Sequence, residues 1–277
     1  MAERSDVWSV EDKVFLVTGG AAGVGAGLVR RLLFHNASHV AFLDVSEREG
    51  AALEAELSTK FGALKAKFIK CDIADPTQLA TAYNQVLDKY HRLDAVVNNA
   101  AVLSADESSY KKMVDINFIA TVTSTYKALD IMAADKGGNG GCIVNISSLL
   151  ALKPSARLPV YAATKAAVLQ FSNNIATDEL YSNTQVRIAT VCLGPTDTAI
   201  LNRRSLENFD KDGAQGISSR VPERQKVESA VSGILDVISS GENGSTWIVA
   251  DNKPAVDITE NVRKGFRYLT ENVAELH

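Results

Sequence analysis

Tyr161 and Lys165 stand four residues apart, and Ser148 stands thirteen residues before the tyrosine. The two segments read Ile143-Val144-Asn145-Ile146-Ser147-Ser148 and Pro159-Val160-Tyr161-Ala162-Ala163-Thr164-Lys165. Helical positions four apart share a face, one turn from each other. An ammonium placed there favours the phenolate, and a phenol lowered in this way can exchange protons near neutral pH. A hydroxyl at a neighbouring strand end can share the oxygen that such a phenol protonates. The chemistry on offer is proton transfer at an alcohol or carbonyl oxygen. Tyr-x-x-x-Lys also occurs by chance in many helices, so the surrounding elements decide its meaning.

Those elements alternate. Apolar runs of strand length cover Val14–Thr18, Val40–Asp44, Lys67–Cys71, Ala95–Asn98, Cys142–Ser147, Arg187–Cys192 and Thr246–Ala250. Several are apolar throughout, as strands covered on both faces should be. Helical periods fall near 25–35, 47–60, 76–90, 107–134, 158–181 and 225–239. Asp75-Pro76 places an N-cap ahead of a proline at the first helical position. The alternation predicts an α/β fold of Rossmann-like, doubly wound type: about seven parallel strands, helices on both faces, a single domain over 1–277. Residues 1–11 read as an N-terminal extension, and Lys136–Gly141 as a glycine-rich loop. The polar stretch 199–222 reads as a segment covering the substrate, and 251–277 as a C-terminal tail.

The first strand runs into Thr18-Gly19-Gly20-Ala21-Ala22-Gly23-Val24-Gly25, which opens the first helix. Glycines there let the backbone turn and approach a pyrophosphate, whose charge meets the positive end of the helix. Asp44 ends the second strand about twenty residues on, where a carboxylate can accept both ribose hydroxyls of an adenosine. Val45-Ser46-Glu47 brings no adjacent base for a 2′-phosphate, so NAD is expected rather than NADP. Asp72-Ile73 follows the third strand, placed to flank an adenine, and Asn98-Asn99 ends the fourth at the ligand crevice. The amides of that pair could equally tie loops together.

Other classes recede. With 46% apolar and 22% charged residues in a chain of 277, the composition is that of a soluble globular protein. A formal charge of −4 gives no footing for nucleic acid or an anionic membrane. Met1–Asp6 has no apolar signal region, and no apolar run reaches the roughly 18 residues of a span. Cys71, Cys142 and Cys192 have no metal-ligand spacing and read as buried free thiols, which fits a cytoplasmic setting. No metal is expected. The four histidines are dispersed and none is assigned to catalysis.

In this order and spacing the motifs resemble the classical short-chain dehydrogenase/reductase family over about residues 12–250. Within it, Tyr161 with Thr164-Lys165-Ala166-Ala167-Val168 is similar to insect-type alcohol dehydrogenases. Lys70–Asp75 and Gly140–Asn145 resemble the NAD-dependent 15-hydroxyprostaglandin dehydrogenases. The resemblance implies a catalytic set of Asn117, Ser148, Tyr161 and Lys165, with Ser147 a structural neighbour of Ser148. It gives Asn117 the task of bending a helix and holding a water beside Lys165. It implies cofactor contacts from Gly19, Gly23, Val24, Gly25, Asp44, Val45, Asp72, Ile73, Asn99, Tyr161, Lys165, Thr196 and Thr198. Substrate would touch Ser148, Leu158 and Tyr161. Leu158 replaces the glutamine of the prostaglandin enzymes, which implies a greasier pocket.

Departures from the family pattern are Ala101 in place of glycine, Ala151, and Leu193-Gly194-Pro195 after the sixth strand. The expected reaction interconverts a medium-sized, mostly apolar secondary or allylic alcohol and its carbonyl. Tyr161 serves as acid/base, lowered by roughly 2–3 units, or about 3–4 kcal/mol, by Lys165 and the nicotinamide. Such a chain would work as a homodimer or homotetramer. Two other readings stay open: a non-catalytic dinucleotide-binding or storage protein, and a carbonyl reductase using the same residues.

Overall fold

The structure is a computed structural model that describes residues 8–104, 106–201 and 224–271. Its centre is an eight-stranded sheet. The strands are β1 (Val14–Thr18), β2 (His39–Asp44), β3 (Ala66–Lys70), β4 (Ala95–Asn98), β5 (Gly141–Ser148), β6 (Val186–Leu193), β7 (Thr246–Val249) and β8 (Val256–Asp257). Their order is β3-β2-β1-β4-β5-β6-β7-β8, parallel except for the β7–β8 pair. The expected fold and its count of about seven strands hold, with one short strand added at the edge. At two residues, Val256 and Asp257, it is too short for any apolar alternation to announce it.

All five residues of β1 are buried, as are the first seven of β6, so both faces of the sheet are covered. One layer of helices comprises α1 (Gly23–Phe34), α2 (Glu47–Phe61) and α8 (Val227–Ser240), packed in a core with Phe15, Phe42, Val144 and Val191. The other face carries α3 (Pro76–Tyr90) and α5 (Ala120–Met132) over Leu16, Val96, Ile143 and Ile188. Asp75 caps α3 as its sequence predicts, accepting from the amides of Thr77 and Gln78. Arg187, buried in β6, donates to the carbonyls of Ile238 and Gly241 and so satisfies the exposed end of α8.

The stretch expected as one helix over 107–134 is broken. It runs through a 3-10 turn (Glu107–Ser109), the short α4 (Tyr110–Val114), a π-turn (Asp115–Ile119) and α5. Asn117 sits in the π-turn, fully buried. Its Oδ1 accepts from the Val102 amide at 2.8 Å, while Nδ2 donates to the Val102 carbonyl at 2.9 Å and to Thr164 Oγ1 at 3.2 Å. One extra residue in the turn lets this amide reach the loop after β4. The stretch 158–181 also divides, into α6 (Pro159–Ile175) and α7 (Asp178–Thr184), because Thr177 caps a new helix by accepting from the Leu180 amide. The tail beyond 251 holds β8 and a helix α9 (Thr259–Thr270). Of the expected covering segment 199–222, only Ala199–Leu201 lies within the described residues, as a 3-10 turn. Residues 1–7 of the expected extension also lie outside them.

The chain crosses from β3 on one side of β1 to β4 on the other. Helices therefore leave the sheet in opposite directions at the ends of β1 and β4, and a crevice opens there.

Candidate active site

Above that crossover lies a cleft of about 700 Å³. Every sequence-predicted site residue except Asn117 opens onto it. The floor is the turn between β1 and α1. Gly19 and Gly23 have φ of +64° and +52°, a backbone region that L side chains rarely adopt. A Cβ on Gly25 would stand 2.0 Å from the Gly19 carbonyl oxygen, and one on Gly23 would press on Thr198 at 3.1 Å. The turn is fixed from outside by Asn99, whose Nδ2 donates to the Thr18 and Gly19 carbonyls at 3.0 and 3.1 Å. Asn98 does something different. Its buried amide bonds Asn145 and Ser124 in the core, so it ties β4 to β5 and α5, where Asn99 ties the end of β4 to the glycine turn.

At the end of β2, Asp44 accepts from the Ala21 amide with Oδ2 and from the Ser46 amide with Oδ1, both at 3.0 Å. A carboxylate offers about four acceptor positions, so capacity remains for two ribose hydroxyls. Val45, 60% exposed, follows it with an apolar side chain and brings no cation. Glycines that a Cβ would obstruct, an α1 start without side-chain cap, and this half-buried acid together fit an adenosine pyrophosphate.

The other end holds the proton-handling groups. Ser147 and Ser148 end β5 and their hydroxyls part company. Ser147 Oγ donates to the Lys165 carbonyl at 2.7 Å and so packs β5 against α6. The Ser148 Oγ instead accepts from the Leu150 amide at 3.1 Å, and the hydroxyl stands near enough to the Tyr161 phenol to pull its pKa downward. Lys165 is 3% exposed and donates to the Ile146 carbonyl at 2.8 Å, with Nζ 5.8 Å from the Tyr161 ring centre.

The electrostatics correct one expectation. Burial pushes the Tyr161 phenol up to about 12, against the opposing pull of the nearby Ser148 hydroxyl. Burial also brings Lys165 down to about 8, the nearby Cys192 thiol acting the other way. In the fold itself desolvation of the phenol outweighs the Ser148 hydroxyl, and the lysine directs its proton at a backbone carbonyl rather than at the phenol oxygen.

The departures prove mild. Ala101 is not among the left-handed residues, so its methyl costs no backbone strain. Gly194 is required by contact, since a Cβ there would lie 2.6 Å from that of Ala250. Thr196, 5% exposed, donates to the Gly194 carbonyl and accepts from the buried Gln225. Gln225 also takes the Pro195 carbonyl and the Asp197 amide, fixing the loop after β6. Gln225 has no motif in the sequence. Leu158 lines the cleft as expected, while the rest of the wall, 149–157, has no motif in the sequence, although anything lying between Ser148 and Tyr161 must border their cleft.

A family model for short chain dehydrogenase matches residues 13–208. The chain belongs to this family. It is an oxidoreductase, and its fold is the one the family shares. This short-chain dehydrogenase is 37% identical over 227 residues to the 15-hydroxyprostaglandin dehydrogenase (NAD(+)) of Homo sapiens, covering 82% of each chain. Alcohol dehydrogenase 2 of Ceratitis cosyra is 30% identical over 240 residues, covering 85% of this chain and 90% of that one. Among solved structures, levodione reductase superposes with a TM-score of 0.74 at 21% identity, over 87% of this chain and 96% of that one. A blue fluorescent protein from a metagenomic library, solved with NADPH, superposes at 0.72 with 27% identity, over 88% and 98%.

Proposed function

We propose that this short-chain dehydrogenase uses NAD to oxidise a medium-sized, mostly apolar secondary or allylic alcohol, with Tyr161 as the proton-transferring group. The observation that carries the reading is that Ser148, Tyr161 and Lys165 line the same cleft as the glycine turn and Asp44. Substrates of terpenoid, steroid, fatty or prostaglandin-like shape fit the leucine-lined end, where Leu158 stands at the start of α6.

The chemistry that a bound NAD would supply is acceptance of the hydride from the carbinol carbon. The glycine turn would hold its pyrophosphate and Asp44 its adenosine ribose, with Val45, Asp72, Ile73, Asn99, Thr196 and Thr198 around it. Ser148 fixes the alcohol oxygen, and Tyr161 as phenolate takes its proton while the carbonyl forms. Lys165 holds positive charge behind the phenol and can bond the nicotinamide ribose. Asn117 supports Lys165 from behind by fixing the π-turn against α6 through Thr164.

Preference for NAD rests on Asp44, on the uncharged Val45, and on relatives whose names carry NAD(+). The raised phenol favours a second reading, carbonyl reduction, because a protonated Tyr161 is already a proton donor. The two readings use the same residues and differ in direction. The three buried thiols fit a reducing cytoplasm.

The test is NADH formation from a panel of straight-chain, terpenoid, steroid and hydroxy-fatty alcohols, run in parallel with NADP. Turnover with NAD at least about ten-fold more efficient than with NADP supports the reading. No turnover of any alcohol, with NADH-driven reduction of the matching ketones, favours the reductase.

A further inference from the structure

Past Ser148 and Tyr161, the cleft is walled by Leu103, Ile116, Leu150 and Leu158. Two cations interrupt that wall, Lys153 and Arg157, both on the connection 149–158 between β5 and α6. Among the described residues neither takes part in an ion pair or a side-chain hydrogen bond. Elsewhere the cations near an acid use it: Arg30 holds Glu56, Lys70 holds Glu47, and Arg92 holds Asp94. The cleft's own carboxylates do not serve these two. Asp44 and Asp72 follow β2 and β3 at the adenosine end, and Asp251 follows β7, two strands along the sheet from β5. The first turn of α6 carries no acidic residue either.

We infer that Lys153 and Arg157 receive a carboxylate at one end of an otherwise apolar substrate, so that the alcohol oxidised is a hydroxy acid. The inference rests on the alcohol reading above and narrows it. An apolar body fills the leucine wall, and the charged end stays at the wet rim where both cations are exposed. A carboxylate accepts from both arms of a guanidinium and from an ammonium together. Two partly solvated pairs of this kind multiply affinity by about five-fold or more.

The test separates this inference from turnover. Decanoate and methyl decanoate are titrated calorimetrically into the full-length protein with NAD present. The same titrations use the neutral double variant Lys153→Met/Arg157→Leu and the charge-keeping variant Lys153→Arg/Arg157→Lys. The expected result is decanoate binding about five-fold or more tighter than its ester. That ratio should fall as salt rises, drop below about two in the neutral variant, and persist in the charge-keeping one. Equal affinities in the wild type, binding of neither, or an undiminished ratio in the neutral variant overturns the assignment. Failure of the alcohol reading looks different: no NADH from any alcohol, with the decanoate preference intact.

Discussion

Tyr161 is pulled two ways, and its surroundings decide which wins. Its pairing with Lys165 becomes legible once the glycine turn and Asp44 supply a context, and the strand-end position of Ser148 completes the trio. The sign of the pKa shift is not legible, because burial is a property of the fold and not of a four-residue interval. Burial holds the phenol at about 12, so the phenolate that accepts a proton grows as pH rises. Oxidation is therefore expected to accelerate from neutral into alkaline solution, and reduction to slow; pH profiles of kcat/KM in both directions check this. Lys165 gives a second readout. Its folded value is about 8, against ~10.4 for an unfolded lysine. Between those values the unfolded chain binds the extra proton, so stability should increase with pH across that window, by up to roughly 3 kcal/mol. Urea melts of Lys165→Met should lack that rising limb; a limb of unchanged slope would assign it elsewhere.

At the scale of elements, the alternation of apolar runs and helical periods already contains β1 to β7, since buried parallel strands have a strong signature. Elements held by side-chain bonds are harder to read. The π-turn depends on Asn117 meeting Val102, fifteen residues away in sequence, and β8 is only two residues long. The wall 149–157 has neither period nor motif. Removing the amide tests the π-turn. Asn117→Ala leaves the part-buried Val102 N–H and C=O without their partner, at up to about 1–3 kcal/mol for each group. A melting temperature lowered by several degrees, with a larger loss in kcat than in NAD affinity, is expected. Unchanged melting would mean that the turn holds itself. His39 supplies an acid-side counterpart: burial lowers it to about 4, so stability should be lost as pH falls from about 6.5 towards 4. His39→Phe should reduce that loss in acid melts.

Over the whole molecule, strand order places the cofactor turn and the proton-handling end on one crevice. The reversal between β1 and β4 follows from a doubly wound alternation, and Leu158 already points to a greasy pocket; the two cations in its wall are not legible. Away from the cleft, the π-turn presents Ile119 and α5 presents Tyr126, each about half exposed, with Phe118 and Tyr126 against Phe171 of α6. We propose this aromatic face as the contact between copies in a homodimer or homotetramer. Light scattering after size exclusion should give a multiple of 29.7 kDa, and Ile119→Glu/Tyr126→Glu should shift it towards the monomer. A wild-type monomer at micromolar concentration would remove the oligomer from the account. The central claim, that Tyr161 transfers the proton in an NAD-dependent alcohol oxidation, is tested most directly by Tyr161→Phe with the best alcohol of the panel. The account predicts NADH formation reduced by about 10²–10⁴-fold with NAD affinity nearly unchanged. NADH formation at the wild-type rate would contradict it.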